Sequence, residues 1–257
     1  MRKEVKEMLQ DGVEGIFTGG KYAEYLKFLS SFRDYSFCNC VLIYSQKPEA
    51  SLVCGYKAWE KYKRHVKKGE TGIRILAPIT KKRLNDDGTE DVIYSSFKAV
   101  SVFDISQTEG EPVPTICNQL SGTVEDFEKY WNKVVAFSPV PVSIEPIPAN
   151  GCFDKSTNRI LVNEGLDEAQ RLKTLIHEVA HSLLHGNDGQ EKEADRSTRE
   201  VQAKSISFMV CNGIGLDTSD YSFGYIAGWS KNKDLNELKN SMDVIMNTSD
   251  RILKAVA

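Results

Sequence analysis

Apolar residues recur at helical spacing over residues 20–34, where Tyr22, Tyr25, Phe28, Leu29 and Phe32 share one side. A second helical stretch over 37–45 stops ahead of Pro48, whose ring disfavours helix in the residue before it. Residues 51–54 form a short apolar strand closed by Gly55, and 56–62 return to helical character. A basic turn around Gly69 leads into an apolar strand over 73–79. Asp87-Gly88 is a hairpin turn signal, followed by a strand over 92–103. Six of the eight prolines fall between 112 and 148, which places a boundary near 110–120. Beyond it the pattern predicts a helix over 124–135, the strand VSIEPI and a hairpin, NGCFDKSTNRILVN, ending in a strand over 159–163. A helix over 167–185 follows, with Leu172, Leu175, Ile176, Val179 and Leu183 on its apolar side. Further helices are predicted over 191–212, 222–230 and 234–255. The whole reads as an α+β chain of two domains, 1–112 and 118–257.

Composition narrows this only slightly. With 257 residues, 40% hydrophobic and 27% charged, the chain is neither collagen-like, coiled-coil nor wholly disordered. No run approaches 18 apolar residues, so no membrane partner is expected. The start, MRKEVKEMLQDGVEGIF, has neither the apolar run nor the cleavage site of a signal peptide. Six cysteines (Cys38, Cys40, Cys54, Cys117, Cys152 and Cys211) show no Cys-x-x-Cys pair, and read as reduced thiols of a cytoplasmic protein.

Charge changes the picture more. The net charge of −3 hides a basic stretch: residues 21–82 hold 13 Lys or Arg against five Asp or Glu, whereas residues 83–257 hold 17 against 27. The basic stretch also carries ten of the 24 aromatic residues. Rings stack on bases while cations neutralise phosphates, so this mixture suits a single-stranded nucleic acid. The same rings at helical spacing equally suit a core.

Residues 177–181 read HEVAH, within the helix predicted over 167–185. His177 and His181 are four apart and project from one face, close enough for both imidazoles to hold one zinc ion. Glu178 is placed to act as general base toward a metal-bound water. Where a third ligand comes from a following helix, Glu200 lies 19 residues past His181, and Glu193 two turns earlier would share its face. An extended pattern with Gly three and His six residues after His181 is excluded by Leu184 and Asn187. His185 comes too soon to join the set, and packing or hydrogen bonding to a ligand is its expected role. Tyr221 and Tyr225 are candidates to donate a hydrogen bond to a tetrahedral intermediate, or else to pack.

The chain resembles the ArdC-like antirestriction family of plasmids, phages and conjugative elements. The stretch YSFCNCVLIYSQKPEASLVCGYKAWEKYKRHVKKGETGIRILAP is similar to that family's N-terminal single-stranded-DNA-binding domain, and VFDISQTEGEPVP to its exit from that domain. HEVAHSLLHG and REVQAKSISFMVCNGIGLDTSDYSFGYIAGW resemble its C-terminal zincin-like metallopeptidase domain. The resemblance implies His177, His181 and Glu200 as zinc ligands and Glu178 as catalytic base; Tyr225 is carried beside it as the second catalytic candidate. Relatives often carry acidic residues where Gln202 and Lys204 stand. For DNA, the candidates are the cations Lys57, Lys61, Lys63, Arg64, Lys67 and Lys68 and the rings Tyr35, Phe37 and Trp59. The implied function is protection of single-stranded DNA from restriction, with a possible peptidase acting on a protein or peptide. The alternatives are a non-enzymatic DNA-protecting protein with a structural zinc site, or a repressor-cleaving protease activated by DNA.

Overall fold

A computed structural model describes residues 2–18, 20–30, 32, 35–84, 90–113 and 124–256, with side chains described outside 2–3, 80–84, 90–95 and 124–126. In chain order the elements are α1 (Arg2–Thr18), α2 (Tyr22–Leu29), α3 (Phe37–Gln46), β1 (Val53–Gly55), a 3-10 helix (Tyr56–Tyr62), β2 (Arg64–Val66), β3 (Ile73–Leu84) and β4 (Glu90–Asp104). A 3-10 turn (Ile105–Gln107) and β5 (Thr108–Gly110) follow. Then come α4 (Val124–Phe137), β6 (Val142–Glu145), β7 (Gly151–Asp154), β8 (Arg159–Asn163), α5 (Glu168–His185), α6 (Arg196–Gly213), α7 (Ile226–Ser230) and α8 (Leu235–Val256). The Asp87-Gly88 turn lies outside the described residues. Two compact units emerge: Met1–Ile16 with Asp34–Thr115, and Phe17–Arg33 with Ile116–Ala257. Among the described residues no helix is long and apolar enough to cross a membrane.

The first unit is built on an antiparallel sheet of order β1-β4-β3, with a separate two-stranded ribbon, β2-β5. α1 has no counterpart in the sequence reading, although Val5, Leu9, Val13 and Ile16 recur at three-to-four spacing and all are buried. The free edge of β3 is closed by side chains of α3. The Asn39 amide donates to Leu76 O and accepts from Leu76 N–H, both at 2.9 Å. Gln46 does the same with Arg74 O and N–H, also at 2.9 Å. Two side-chain amides thus replace a neighbouring strand on an edge that would otherwise offer unpaired backbone.

The exit from β4 is fastened by Asp104 and Gln107. Asp104 Oδ2 accepts from the Ser51 and Leu52 N–H groups at 2.8 and 3.1 Å, and Oδ1 from Ser106 N–H at 2.9 Å. Gln107 Oε1 accepts from Asp104 N–H, while its amide donates to Thr71 O and Glu70. Burial alone would raise the Asp104 pKa, but the hydrogen bonds from Ser106, Ser51 and Leu52 outweigh it and hold the carboxyl below its ordinary value. A folded pKa below the unfolded one stabilises at neutral pH and is lost as pH falls through the carboxylate range. Denaturant titrations across that range should therefore show stability declining on acidification, and Asp104→Asn should flatten the decline while lowering stability at pH 7 by about 1–3 kcal/mol.

In the second unit β8 pairs in parallel with β6 and antiparallel with β7, giving a mixed sheet of order β6-β8-β7. α5 packs on β7 and β8 and against α6, which in turn packs on α8. Their meeting faces supply the core: Ile160, Val162, Leu175, Ile176, Val179, Val201, Ile206, Val210, Met242 and Ile245 are fully buried. α2 belongs to this unit, with Tyr22 buried and its hydroxyl 3.0 Å from Ser205 Oγ of α6. Its apolar stripe is therefore core.

Candidate metal centre and candidate nucleic-acid interface

Asp167 caps α5 by accepting from Gln170 N–H, and the helix then runs unbroken through HEVAH. β7 approaches this helix closely because residue 151 is glycine: a Cβ there would stand 2.5 Å from Thr174 Cγ2 and 3.3 Å from Glu178 Cγ. α6 starts at Arg196, capped by the Asp195 carboxylate, which accepts from Thr198 N–H. The predicted start at 191 is thus moved by five residues. Glu193 lies in the turn ahead of the cap and shares no helix face with Glu200.

The two helices bring His177, His181 and Glu200 together, with one ligand atom from each all within 4.8 Å of one another. His177 Nε2 and His181 Nε2 are 3.1 Å apart. Glu200 oxygens lie 3.8 Å from His177 Nε2 and 3.5 Å from His181 Nε2. Donors bound at about 2.1 Å around one ion sit about 3.0–3.4 Å from one another, so the set fits a divalent metal with little movement. Burial is the main cause that pushes His177 down to about 4 and His181 down to about 3, which keeps both imidazoles neutral at pH 7, the state a metal requires.

Glu178 is buried beside this cluster. Burial raises its carboxyl to about 7 against a hydrogen bond from the Phe153 N–H, with Glu200 adding to the rise. Tyr225 is 41% exposed, and burial of its hydroxyl followed by the Glu200 charge pushes it up to about 12. Lys204 Nζ stands 5.2 Å from its ring. Tyr225 precedes the short helix α7, so the helix predicted over 222–230 is confined to its second half. Tyr221 instead hydrogen-bonds Ser207 at 2.8 Å in the interior and is a packing residue.

In the first unit the DNA candidates separate by burial. Trp59 is fully buried, its Nε1–H donating to Phe103 O at 3.1 Å, and Phe37 is fully buried as well. Neither presents a face to a base in this structure. The Tyr35 hydroxyl donates to Val53 O at 2.9 Å and fastens β1. Arg64 is committed to the ribbon: its guanidinium donates to Thr108 Oγ1, Thr108 O, Gly110 O and Glu111 O. Gly110 permits that contact, because its φ of 137° and the closeness of Lys63 O exclude a side chain. Lys57, Lys61, Lys63, Lys67 and Lys68 are exposed; Lys63 pairs with Glu111 at 3.2 Å and Lys67 donates to Ser106 O at 3.0 Å. Tyr56 at 59% and Tyr62 at 42% are exposed at either end of the 3-10 helix, and Phe97 of β4, outside the basic stretch, is exposed at 58%. In such a helix residues three apart eclipse, so the helix itself does not set Trp59 apart from its two neighbours; packing does, with the indole N–H held on Phe103 O.

Residues 1–103 match the model of the N-terminal domain of anti-restriction factor ArdC, and residues 141–211 match the IrrE N-terminal-like domain, a peptidase model. The metal-free crystal structure of the antirestriction ArdC protein from plasmid R388 superposes with a TM-score of 0.61 at 18% identity, covering 86% of this chain and 85% of that one. Its Mn(II)-bound structure gives 0.65 at 16% identity over 98% of both. These matches tie the chain to the ArdC antirestriction family. The two-part α+β architecture of ArdC, with a zincin-like second unit, is the one seen here. An uncharacterized Bacillus anthracis protein is 27% identical over an alignment covering 91% of this chain and 47% of that protein, so the chain spans about half the length of that relative.

The comparison corrects the zinc expectation. The metal-bound ArdC relative holds Mn(II), which contradicts a zinc-dependent function and zinc as the cofactor. The physical reason lies in the donors. Two imidazoles and a carboxylate serve several first-row divalent ions, and nothing in their spacing selects among them.

Proposed function

We propose that the chain is a single-stranded-DNA-binding protein of antirestriction type, acting in the cytoplasm on the DNA of a mobile element, with a Mn(II) site in its second unit. In this reading 1–112 carries the DNA surface and 118–257 the metal. The observation that carries it is the exposed pair Tyr56 and Tyr62 with five exposed lysines in a stretch matching the ArdC N-terminal domain. The lysines follow the phosphates and the tyrosines take the bases, a mode of binding that needs no base-specific readout. Five phosphate contacts give a salt slope of about −3.5, or about 100-fold weaker binding to single strands between 50 and 200 mM salt. Fluorescence anisotropy with single- and double-stranded oligonucleotides of one sequence tests this. Equal affinity for both forms with a flat salt dependence would refute it.

A hydrolytic role for the metal site is the second reading, favoured by the buried Glu178 with its raised carboxyl. A divalent ion there would supply Lewis acidity toward a carbonyl or a water. Glu178 would accept a proton and return it to a leaving amine, and Tyr225 would donate a hydrogen bond to developing negative charge. Glu178→Gln should leave Mn(II) affinity unchanged and remove cleavage of candidate host proteins or repressors, assayed with and without single-stranded DNA. Cleavage that persists in that variant would sink this reading.

A further inference from the structure

The geometry points to a chain of hydrogen bonds, from Gln202 through His185 to His181, that fixes which nitrogen of His181 faces the metal position. It rests on the reading of His181 as a metal ligand. Gln202 is completely buried, and its two ends meet different partners. Its amide nitrogen lies 3.3 Å from Ser241 Oγ and 3.4 Å from the Glu191 carboxylate, while Oε1 lies 2.9 Å from His185 Nε2. A carboxylate only accepts hydrogen bonds, so Glu191 holds the NH2 group on its own side and leaves the amide oxygen facing His185.

The remaining assignments follow in order. An amide oxygen only accepts, so His185 Nε2 carries the proton and donates to it. Neutral His185 then has a bare Nδ1, which lies 3.0 Å from His181 Nδ1. His181 must donate across that contact, so its proton sits on Nδ1 and its Nε2 lone pair is free. Nε2 is the atom grouped with His177 and Glu200. The reverse polarity would turn the Gln202 oxygen toward the Glu191 carboxylate, acceptor against acceptor. Gln202 and His185 are thus positioning residues: they orient His181 and set its tautomer without touching the ion. Position 202 needs an acceptor toward His185 and a donor toward Glu191, which one amide supplies.

Long-range proton–nitrogen correlation spectra of the metal-free full chain test the tautomers directly, and Mn(II) titration by electron paramagnetic resonance tests their consequence. The expected result is His181 protonated at Nδ1 and His185 at Nε2. Gln202→Leu should scramble both tautomers and weaken Mn(II) binding roughly 10- to 100-fold, with circular dichroism unchanged. Finding His181 protonated at Nε2 in the wild type, or Gln202→Leu with wild-type tautomers and affinity, would overturn the inference. The tautomer spectra need no metal, so a wild-type chain that fails to bind Mn(II) while showing these tautomers would refute the metal reading and leave the hydrogen-bond chain standing.

Discussion

His181→Ala lowers Mn(II) affinity by more than about 100-fold, beyond the 10- to 100-fold associated with losing only a partner of a ligand. Three protein groups converge on the site, His177, His181 and Glu200, and His181 Nε2 stands nearest to both of the others, at 3.1 and 3.5 Å. Its removal leaves one imidazole and one exposed carboxylate, a pair too sparse to hold an ion against water. Glu200→Ala should have a comparable effect. Glu193→Ala should have none, because Glu193 precedes the Asp195 cap and lies off the helix that presents Glu200. Paramagnetic resonance titration of Mn(II) against the three variants, with melting curves to show that each is folded, checks the set. A Glu193→Ala defect matching that of Glu200→Ala would mean that the ligand helix is misplaced.

Trp59→Ala costs the first unit about 3–5 kcal/mol, the range for deleting a fully buried aromatic side chain. The ring is completely enclosed, and its loss also leaves Phe103 O without the indole N–H donor. Tyr62→Ala, six-tenths buried at the end of the same short helix, should change stability far less and instead weaken single-stranded DNA binding by about 1–3 kcal/mol, the worth of one base–aromatic stack. Denaturant unfolding and oligonucleotide binding, measured on both variants, separate the two roles. If Trp59 were a stacking platform, its substitution would weaken binding without shifting the unfolding transition.

These contrasts show what a sequence can and cannot carry. The helix bearing HEVAH was legible because a long amphipathic period, an Asp cap and two histidines on one face all agree locally. The long strands β3 and β4 were legible in part, from apolar runs around 73–79 and 92–103. α1 was missed although Val5, Leu9, Val13 and Ile16 carry a helical period, since the segment was weighed only as an export signal. β2 and β5 are three residues each, too short for any period to register. The start of α6 was misplaced because Glu191 to Ala194 suit a helix as well as a turn, and only the Asp195 cap decides between them.

The candidate site divides along the same line. Sequence spacing brings His177, His181 and Glu200 into consideration, since helical geometry is local. Which ring of Tyr56, Trp59 and Tyr62 enters the core is a tertiary outcome, invisible in their identical spacing of three. Arg64 illustrates the same limit: a basic run marks cations, but whether a guanidinium faces solvent or clasps Thr108, Gly110 and Glu111 depends on a ribbon formed 44 to 47 residues away. Metal identity was beyond reach for a chemical reason, because the same nitrogen and oxygen donors serve manganese and zinc alike.

The most direct test is anomalous diffraction at the manganese edge from crystals of the full chain soaked in Mn(II). The account predicts a single strong peak within bonding distance of His177 Nε2, His181 Nε2 and a Glu200 oxygen, with Glu178 beside it. A peak held by other residues, or none at saturating Mn(II), would contradict it.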